Sequence, residues 1–89
     1  MTIKLYKFGD FLISRPAGRD AYLSAKAYLL NKKADAIELD FEKIKVLTPS
    51  WLDEFLMMLK KDYPEAEIKY RPSDNPTVIS SLKTISQSP

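Results

Sequence analysis

The sequence predicts an α/β fold in which a small mixed sheet has its helices mainly on one face. Apolar and polar residues alternate over 36–41, which is typical of a strand with one buried face. A strand covered on both sides would be apolar throughout, so the alternation indicates that most helices share one side of the sheet. Thr48, Pro49 and Ser50 then form a typical helix start. The helix that follows has a one-sided apolar face formed by Leu52, Phe55, Leu56 and Leu59.

The first third of the chain contains two predicted strands and a predicted helix. Thr2–Phe8 is the first strand and Phe11–Ile13 the second. The Gly-Asp pair between them is typical of a two-residue turn, so we expect these strands to form a hairpin. A loop at 14–18 follows, and good helix formers extend from about Arg19 to Asn31.

The remaining elements alternate between strand and helix. After the strand at 36–41, the helix that begins at Pro49 ends before Pro64, since proline cannot continue a helix. Alternation then predicts a strand at 67–71, and an Asn-Pro pair begins a last helix that extends to Ile85. The predicted order is β-β-α-β-α-β-α.

Length and composition indicate a single domain that lacks catalytic, metal and cofactor chemistry. A chain of 89 residues rarely supports two cores, so we expect a single domain over 1–89, folded over 1–85 with a frayed tail at 86–89. The sequence contains no Cys and no His, which removes the commonest general base, nucleophilic thiol and transition-metal ligands. We therefore expect no catalytic residues, no metal site and no cofactor, and a small enzyme is the weakest functional hypothesis.

Hydropathy predicts a cytoplasmic protein. The longest apolar run, at 55–59, is far shorter than the roughly 20 residues that cross a bilayer. The amino terminus does not resemble a signal peptide, because Lys7 and Asp10 interrupt any apolar segment there.

Charge is unevenly distributed, which leaves a nucleic-acid hypothesis open. Residues 1–33 contain seven Lys and Arg against two Asp, although the formal net charge of the chain is only +2. A small nucleic-acid-binding protein would place cations on phosphates and stack tyrosines on bases. The residues available for this role are Lys4, Lys7, Arg15, Arg19, Lys26, Tyr6, Tyr22 and Tyr28.

Two segments together resemble a known family. Segment 37–41 has the sequence Ile-Glu-Leu-Asp-Phe, and segment 47–55 has Leu-Thr-Pro-Ser-Trp-Leu-Asp-Glu-Phe. They resemble the STAS-like domain-of-unknown-function family of bacteria and their mobile elements, in which a strand ending in Leu-Asp-Phe precedes Ser/Thr-x-Ser-aromatic-x-Asp-Glu. Arg15, Gly18 and Arg19 resemble that family's lead into its first helix.

The resemblance implies a STAS-like fold over roughly Leu12 to Ile85 and a regulatory role without catalysis. Broader relatives are anti-sigma factor antagonists, which dock on histidine-kinase-like ATPases. Their helix start carries Asp-Ser-Ser-Gly with one phosphorylated serine. By position, Thr48 replaces the Asp and Pro49 the phosphorylated Ser, so Ser50 keeps the hydroxyl and becomes a candidate phosphorylation site. The resemblance favours a protein partner over nucleic acid or membrane, and a homodimer stays open.

The predicted partner surface is the start of the second helix together with two nearby arginines. Its residues are Thr48, Ser50, Trp51, Asp53, Glu54, Arg15 and Arg19.

Each of these residues also has a structural interpretation. Thr48 and Ser50 are ordinary helix-start residues, and Asp53 and Glu54 could form a solvated face. Because adjacent helical residues point about 100° apart, we do not expect those two carboxylates to bind one substrate atom jointly.

The arginines and the tryptophan have similar alternatives. Arg15 and Arg19 could pair with Asp40 or Glu38 instead of contacting an acidic partner. Trp51 could fill the core or serve as an exposed interface anchor.

Overall fold

The chain forms two parallel β-ladders beside a layer of helices. The computed structural model describes residues 1–28 and 34–86. Within them the elements are β1 (Thr2–Lys4), β2 (Phe11–Leu12), α1 (Arg15–Tyr28), β3 (Ala36–Asp40), β4 (Val46–Leu47), α2 (Pro49–Asp62), β5 (Glu67–Tyr70) and α3 (Pro76–Ser86).

Every strand pair in these residues is parallel, so the prediction of a mixed sheet with an N-terminal hairpin is wrong. One sheet has the order β1-β3-β5, and β2 pairs with β4 in a second sheet. The cause is a 3₁₀ helix at Leu5–Phe8, which buries Leu5 and replaces the second half of the expected strand. The Gly9 N–H donates to the Tyr6 carbonyl at 3.0 Å, and the chain continues forward instead of turning back. β2 therefore runs beside β4 much as β1 runs beside β3. The predicted α/β class is confirmed.

The strand immediately before α2 is β4, which the sequence analysis missed. Its ladder pairs Phe11 with Val46 and Leu12 with Leu47. The predicted strand at 36–41 is present, but it ends at Asp40.

Helix α1 begins at Arg15, four residues earlier than predicted. The Ser14 hydroxyl accepts the Ala17 N–H at 3.3 Å and so satisfies a donor of the first turn. Pro16 lies inside that turn, where its missing N–H is harmless. Ser14 itself has φ 78°, a left-handed conformation that is costly for a residue with a side chain. The predicted end of this helix at Asn31 lies outside the described residues.

Helices α1 and α2 lie side by side and point the same way. The start of α1 contacts the start of α2 through Arg15 and Asp53, and near the other end Tyr22 and Lys26 contact Asp62. Gly18 permits the approach, because a Cβ there would overlap the Trp51 carbonyl oxygen. Two parallel helices thus present their first turns at one end of the molecule.

The sheet has one apolar and one polar face, as predicted. Ile3 and Leu39 are paired and buried on the side that meets the helices. Thr2, Glu38 and Lys69 form a cross-strand row on the opposite side. Helix α2 packs on both α1 and α3, so the helices form a single layer. None of the helices in the described residues has the length and apolarity needed to cross a membrane.

The last two predicted elements are also present. Strand β5 and helix α3 lie close to their predicted positions, and α3 ends at Ser86, one residue after its expected end. The rest of the predicted tail, 87–89, lies outside the described residues.

Candidate functional site

The starts of α1 and α2 are held together by the short β2–β4 ladder. The Thr48 N–H donates to the Leu12 carbonyl at 3.0 Å, and the Thr48 hydroxyl donates to the same oxygen at 3.2 Å. That hydroxyl also accepts the Trp51 N–H at 3.4 Å, so Thr48 is the predicted N-cap of α2. Pro49 occupies the first helical position, as expected. Thr48 is half-buried, and its hydroxyl is already hydrogen-bonded to Leu12 and Trp51. It therefore fixes the position of the helix start and does not itself face a partner.

Arg15 connects the two helix starts. Its Nη1 donates to Asp53 Oδ2 at 2.9 Å and to Glu54 Oε1 at 3.1 Å. These hydrogen bonds, first the one that Asp53 accepts and then the one that Glu54 accepts, raise the pKa of Arg15 above its ordinary value because they favour the charged guanidinium. A cation at a helix start opposes the helix dipole, and the two carboxylates offset that penalty.

Asp53 and Glu54 both accept hydrogen bonds from one nitrogen of Arg15, because the guanidinium approaches from a neighbouring helix and the two carboxylate stems differ in length. The expectation that they do not jointly bind one substrate atom stays a prediction, whereas the alternative pairing of Arg15 with the sheet carboxylates is wrong. Arg15 does not pair with Asp40 or Glu38; Arg71 lies 3.7 Å from a carboxylate oxygen of each. The earlier start of α1 places Arg15 against α2 and away from the sheet.

Of the two carboxylates, only Asp53 is open to a partner. Its side chain is half-exposed, whereas Glu54 is buried and its carboxylate forms a salt bridge with Arg15. The prediction that Glu54 belongs to an exposed acidic edge is therefore wrong.

Trp51 belongs to the core and is not an exposed anchor. It is 1% exposed, and its ring stacks on Phe55 with centroids 5.2 Å apart and planes 7° apart. The preceding Ser50 is exposed at the second helical position. The first turn of α2 thus points its aromatic residue inward and its serine outward.

A small open depression brings several predicted residues together. It has a volume of about 190 Å³, and its lining includes Arg15, Ser50 and Asp53. Thr84 and Ile85 from the end of α3 complete it together with Pro49. The contribution of α3 was missed, since no sequence signal indicates that the chain's last helix ends beside the start of α2.

Arg19 lies one helical turn after Arg15 and is exposed. Within residues 1–28 and 34–86 it makes no ion pair or side-chain hydrogen bond. Its charge is therefore available to a partner one helical turn from Arg15.

A second, larger groove lies at the carboxyl ends of β3 and β5. Its volume is about 1,130 Å³, and it separates the loop after β3 from the loop before α3. Asn75 ties these loops together, since its Nδ2 donates to the carbonyls of Ile44 at 2.8 Å and Lys45 at 3.1 Å. Its Oδ1 accepts the N–H of Thr77 at 2.8 Å, which satisfies the start of α3. The sequence analysis recognised Asn75 only as a helix start.

Several residues of the nucleic-acid hypothesis are buried or paired with other side chains of the protein. Tyr22 is buried, with its hydroxyl donating to Asp62 at 2.6 Å, so it cannot stack on a base. Lys26 pairs with the same carboxylate at 3.1 Å. Lys43 covers the Tyr6 ring with its ammonium 5.0 Å from the centroid. The Tyr28 side chain lies outside the described part of the chain.

Comparison with known proteins identifies the family of this chain. A family model described as a STAS-like domain of unknown function (DUF4325) matches residues 24–78, which is more than half of the chain. The chain belongs to this family. The matched part of the STAS-like domain contains Ser50 and Asp53 but not Arg15, Gly18 or Arg19. Neither a curated protein nor a solved structure gives a significant match.

No metal centre is evident in the part of the STAS-like domain that the structure describes. Nowhere in residues 1–28 and 34–86 do three or more potential metal-binding side chains come together.

Proposed function

We propose that this STAS-like domain is a regulatory protein-interaction module that acts by binding and not by catalysis. Its docking surface consists of Arg15, Arg19, Ser50, Asp53 and Thr84. The observation that supports this proposal is the convergence of four of these residues: Arg15 from α1, Ser50 and Asp53 from α2 and Thr84 from α3 line one open depression. Arg19 lies one helical turn after Arg15 on α1. Trp51 and Glu54 lie beneath this surface and shape it, so they are not partner contacts.

The partner that fits the resemblance is a histidine-kinase-like ATPase. The docking surface combines a free guanidinium, a half-exposed carboxylate and an exposed hydroxyl, which suits a partner with charges of both signs. Arginine is often a dominant contact in such interfaces, and Arg19 has no competing partner within the described residues.

Ser50 is the position at which binding would be regulated. A phosphate there would lie at the positive end of the α2 dipole, which favours the modified state. It would also add negative charge beside Asp53, so the surface would change its electrostatic character without any change in fold.

The experiment begins with capture of retained proteins from the native host. The retained ATPase is then purified, and its affinity for the domain is measured by calorimetry. Arg19→Ala should weaken binding by roughly tenfold, as expected for loss of an interfacial arginine. Ser50→Glu should weaken or strengthen binding by a comparable factor. Both positions are exposed, so the thermal midpoint should stay nearly constant.

Lys61→Ala is the matched control. Lys61 is an exposed cation near the far end of α2, about 18 Å from its start. Binding by this variant should equal that of the wild type. If all variants bind the ATPase equally, or if Lys61→Ala and Arg19→Ala lose the same affinity, the ATPase does not bind at the proposed docking surface.

A further inference from the structure

The outer edge of β5 is an unpaired strand edge next to an apolar groove. The N–H groups of Glu67 and Arg71 donate to carbonyls on the β3 side at 2.9 and 3.0 Å. Because successive residues of a strand point their backbone groups to opposite sides, those of Ile68 and Tyr70 point away from β3. β5 is the last strand of its sheet, and in the described residues no hydrogen bond satisfies these outward groups.

The groove lies on the helix side of this edge. It has a volume of about 590 Å³, and its apolar lining comes from Tyr70, Leu82 and Ile85. Tyr70 faces this side because it is in register with the buried Leu39. Its ring lies 6.4 Å from that of Phe41, and burial raises the pKa of its phenol, which therefore stays neutral.

The rim of the groove carries charge of one sign. Lys60 from α2 and Lys83 from α3 line it, and no acidic residue does. Neither ammonium group has an ion pair or hydrogen bond within residues 1–28 and 34–86. The nearby Lys69 is different, since it lies on the opposite face of the sheet and pairs with Glu67 at 3.3 Å.

From these observations we propose that β5 binds an extended acidic peptide segment of a partner protein as an added strand. The segment would pair its backbone with the outward groups of Ile68 and Tyr70. Every second side chain would then project over the groove, with apolar residues at the centre and carboxylates at the ends. The central residues would contact Tyr70 and Leu82, and the end carboxylates would meet Lys60 and Lys83.

This surface is separate from the docking surface proposed above. It is formed by β5, the later part of α2 and the end of α3, and it shares only Ile85 with the lining of the depression. The two proposals can therefore fail independently.

The test uses the peptide acetyl-Glu-Thr-Val-Thr-Leu-Thr-Glu-amide with the full-length domain. Binding is followed by amide NMR shifts and by hydrogen exchange. We expect saturable binding that slows exchange of the Ile68 and Tyr70 amides and weakens as salt is added. Lys83→Glu should weaken binding roughly five- to tenfold. Of the two peptides that carry Lys at one end and Glu at the other, the one whose Lys meets position 83 should recover much of that loss.

Lys7→Glu is the matched control, because Lys7 is exposed and follows β1 at the opposite edge of the sheet. Two peptides, one with proline in place of the central Thr and one with proline in place of Leu, supply the second control, since in either strand direction one of them lacks a backbone donor that faces β5. Three results would overturn the proposal: no binding, binding that Lys83→Glu leaves unchanged, or slowed exchange at Ile68 and Tyr70 that depends on protein concentration without peptide. The last result would assign the edge to a second copy of the chain.

Discussion

Replacing Gly18 by alanine tests whether α1 and α2 pack as closely as the structure shows. A Cβ at Gly18 would overlap the Trp51 carbonyl oxygen and lie 3.1 Å from the Trp51 Cα, where ordinary contacts are 3.4–4 Å. Both partners are main chain, so no side-chain rotation relieves the overlap. The first turn of α2 would have to shift, although Thr48 and Arg15 both hold it.

The expected net effect is a loss of about 2 kcal/mol in the free energy of unfolding. Overpacking costs about 1–3 kcal/mol, and a backbone overlap belongs at the upper end of that range. Alanine's better helix propensity returns about 1 kcal/mol. For a domain of this size, the thermal midpoint measured by circular dichroism should fall by about 8–16 °C.

Ala17→Gly is the control for propensity alone. Ala17 is the exposed neighbour of Gly18 in the same turn, so its replacement costs at most about 1 kcal/mol. If Gly18→Ala has the same midpoint as the wild type or a higher one, the close approach of the two helices is refuted.

Two further predictions concern the same helix pair. Trp51→Ala should cost about 3–5 kcal/mol, since it removes a buried ring that stacks on Phe55; a urea midpoint close to that of the wild type would mean that the ring is exposed. Asp62 has a pKa below its ordinary value of 3.8, first because Tyr22 donates to it and then because Lys26 does. The stabilisation from this lowered pKa is fully present above the unfolded-state pKa and is lost as pH falls towards and through the folded-state pKa. Asp62→Asn should therefore destabilise the domain at pH 7 and have a smaller effect at pH 3. Equal destabilisation at both pH values would contradict this linkage.

The helices and longer strands were predictable because their signals are local. Thr48 and Pro49 specify the start of α2 within two residues, and the structure confirms both roles. The alternation around Ile37 and Leu39 likewise predicts a half-buried strand, and both residues are fully buried.

The strand pairing was not predictable from local pattern. A Gly-Asp pair between apolar runs favours a hairpin, but burial of Leu5 in a 3₁₀ turn outweighs that preference. β4 has only two residues, which is too short for any periodic signal. The early start of α1 followed from a cap at Ser14 that the sequence analysis treated as part of a loop.

Only part of the candidate site could be predicted from the sequence, and its arrangement could not. Ser50, Asp53 and Arg15 do lie around one depression. Which side chains face inward depends on how closely and at what angle α1 and α2 pack. Gly18 permits the short distance between them. For this reason Trp51 and Glu54 are buried although they are sequence neighbours of exposed residues.

The exclusively parallel pairing of the described strands has a consequence for how the chain acquires its fold. Thr2 and Glu38 contact each other from positions 36 apart, and the bond between Leu12 and Thr48 spans the same separation. Among the described strands no short-range hairpin exists to nucleate a sheet, so the first ladder to form must close a loop that contains a whole helix, either α1 or α2. Folding that depends on such non-local closure is slow for a small protein. The N-terminal strands therefore remain unpaired on the ribosome until β3 and β4 have emerged.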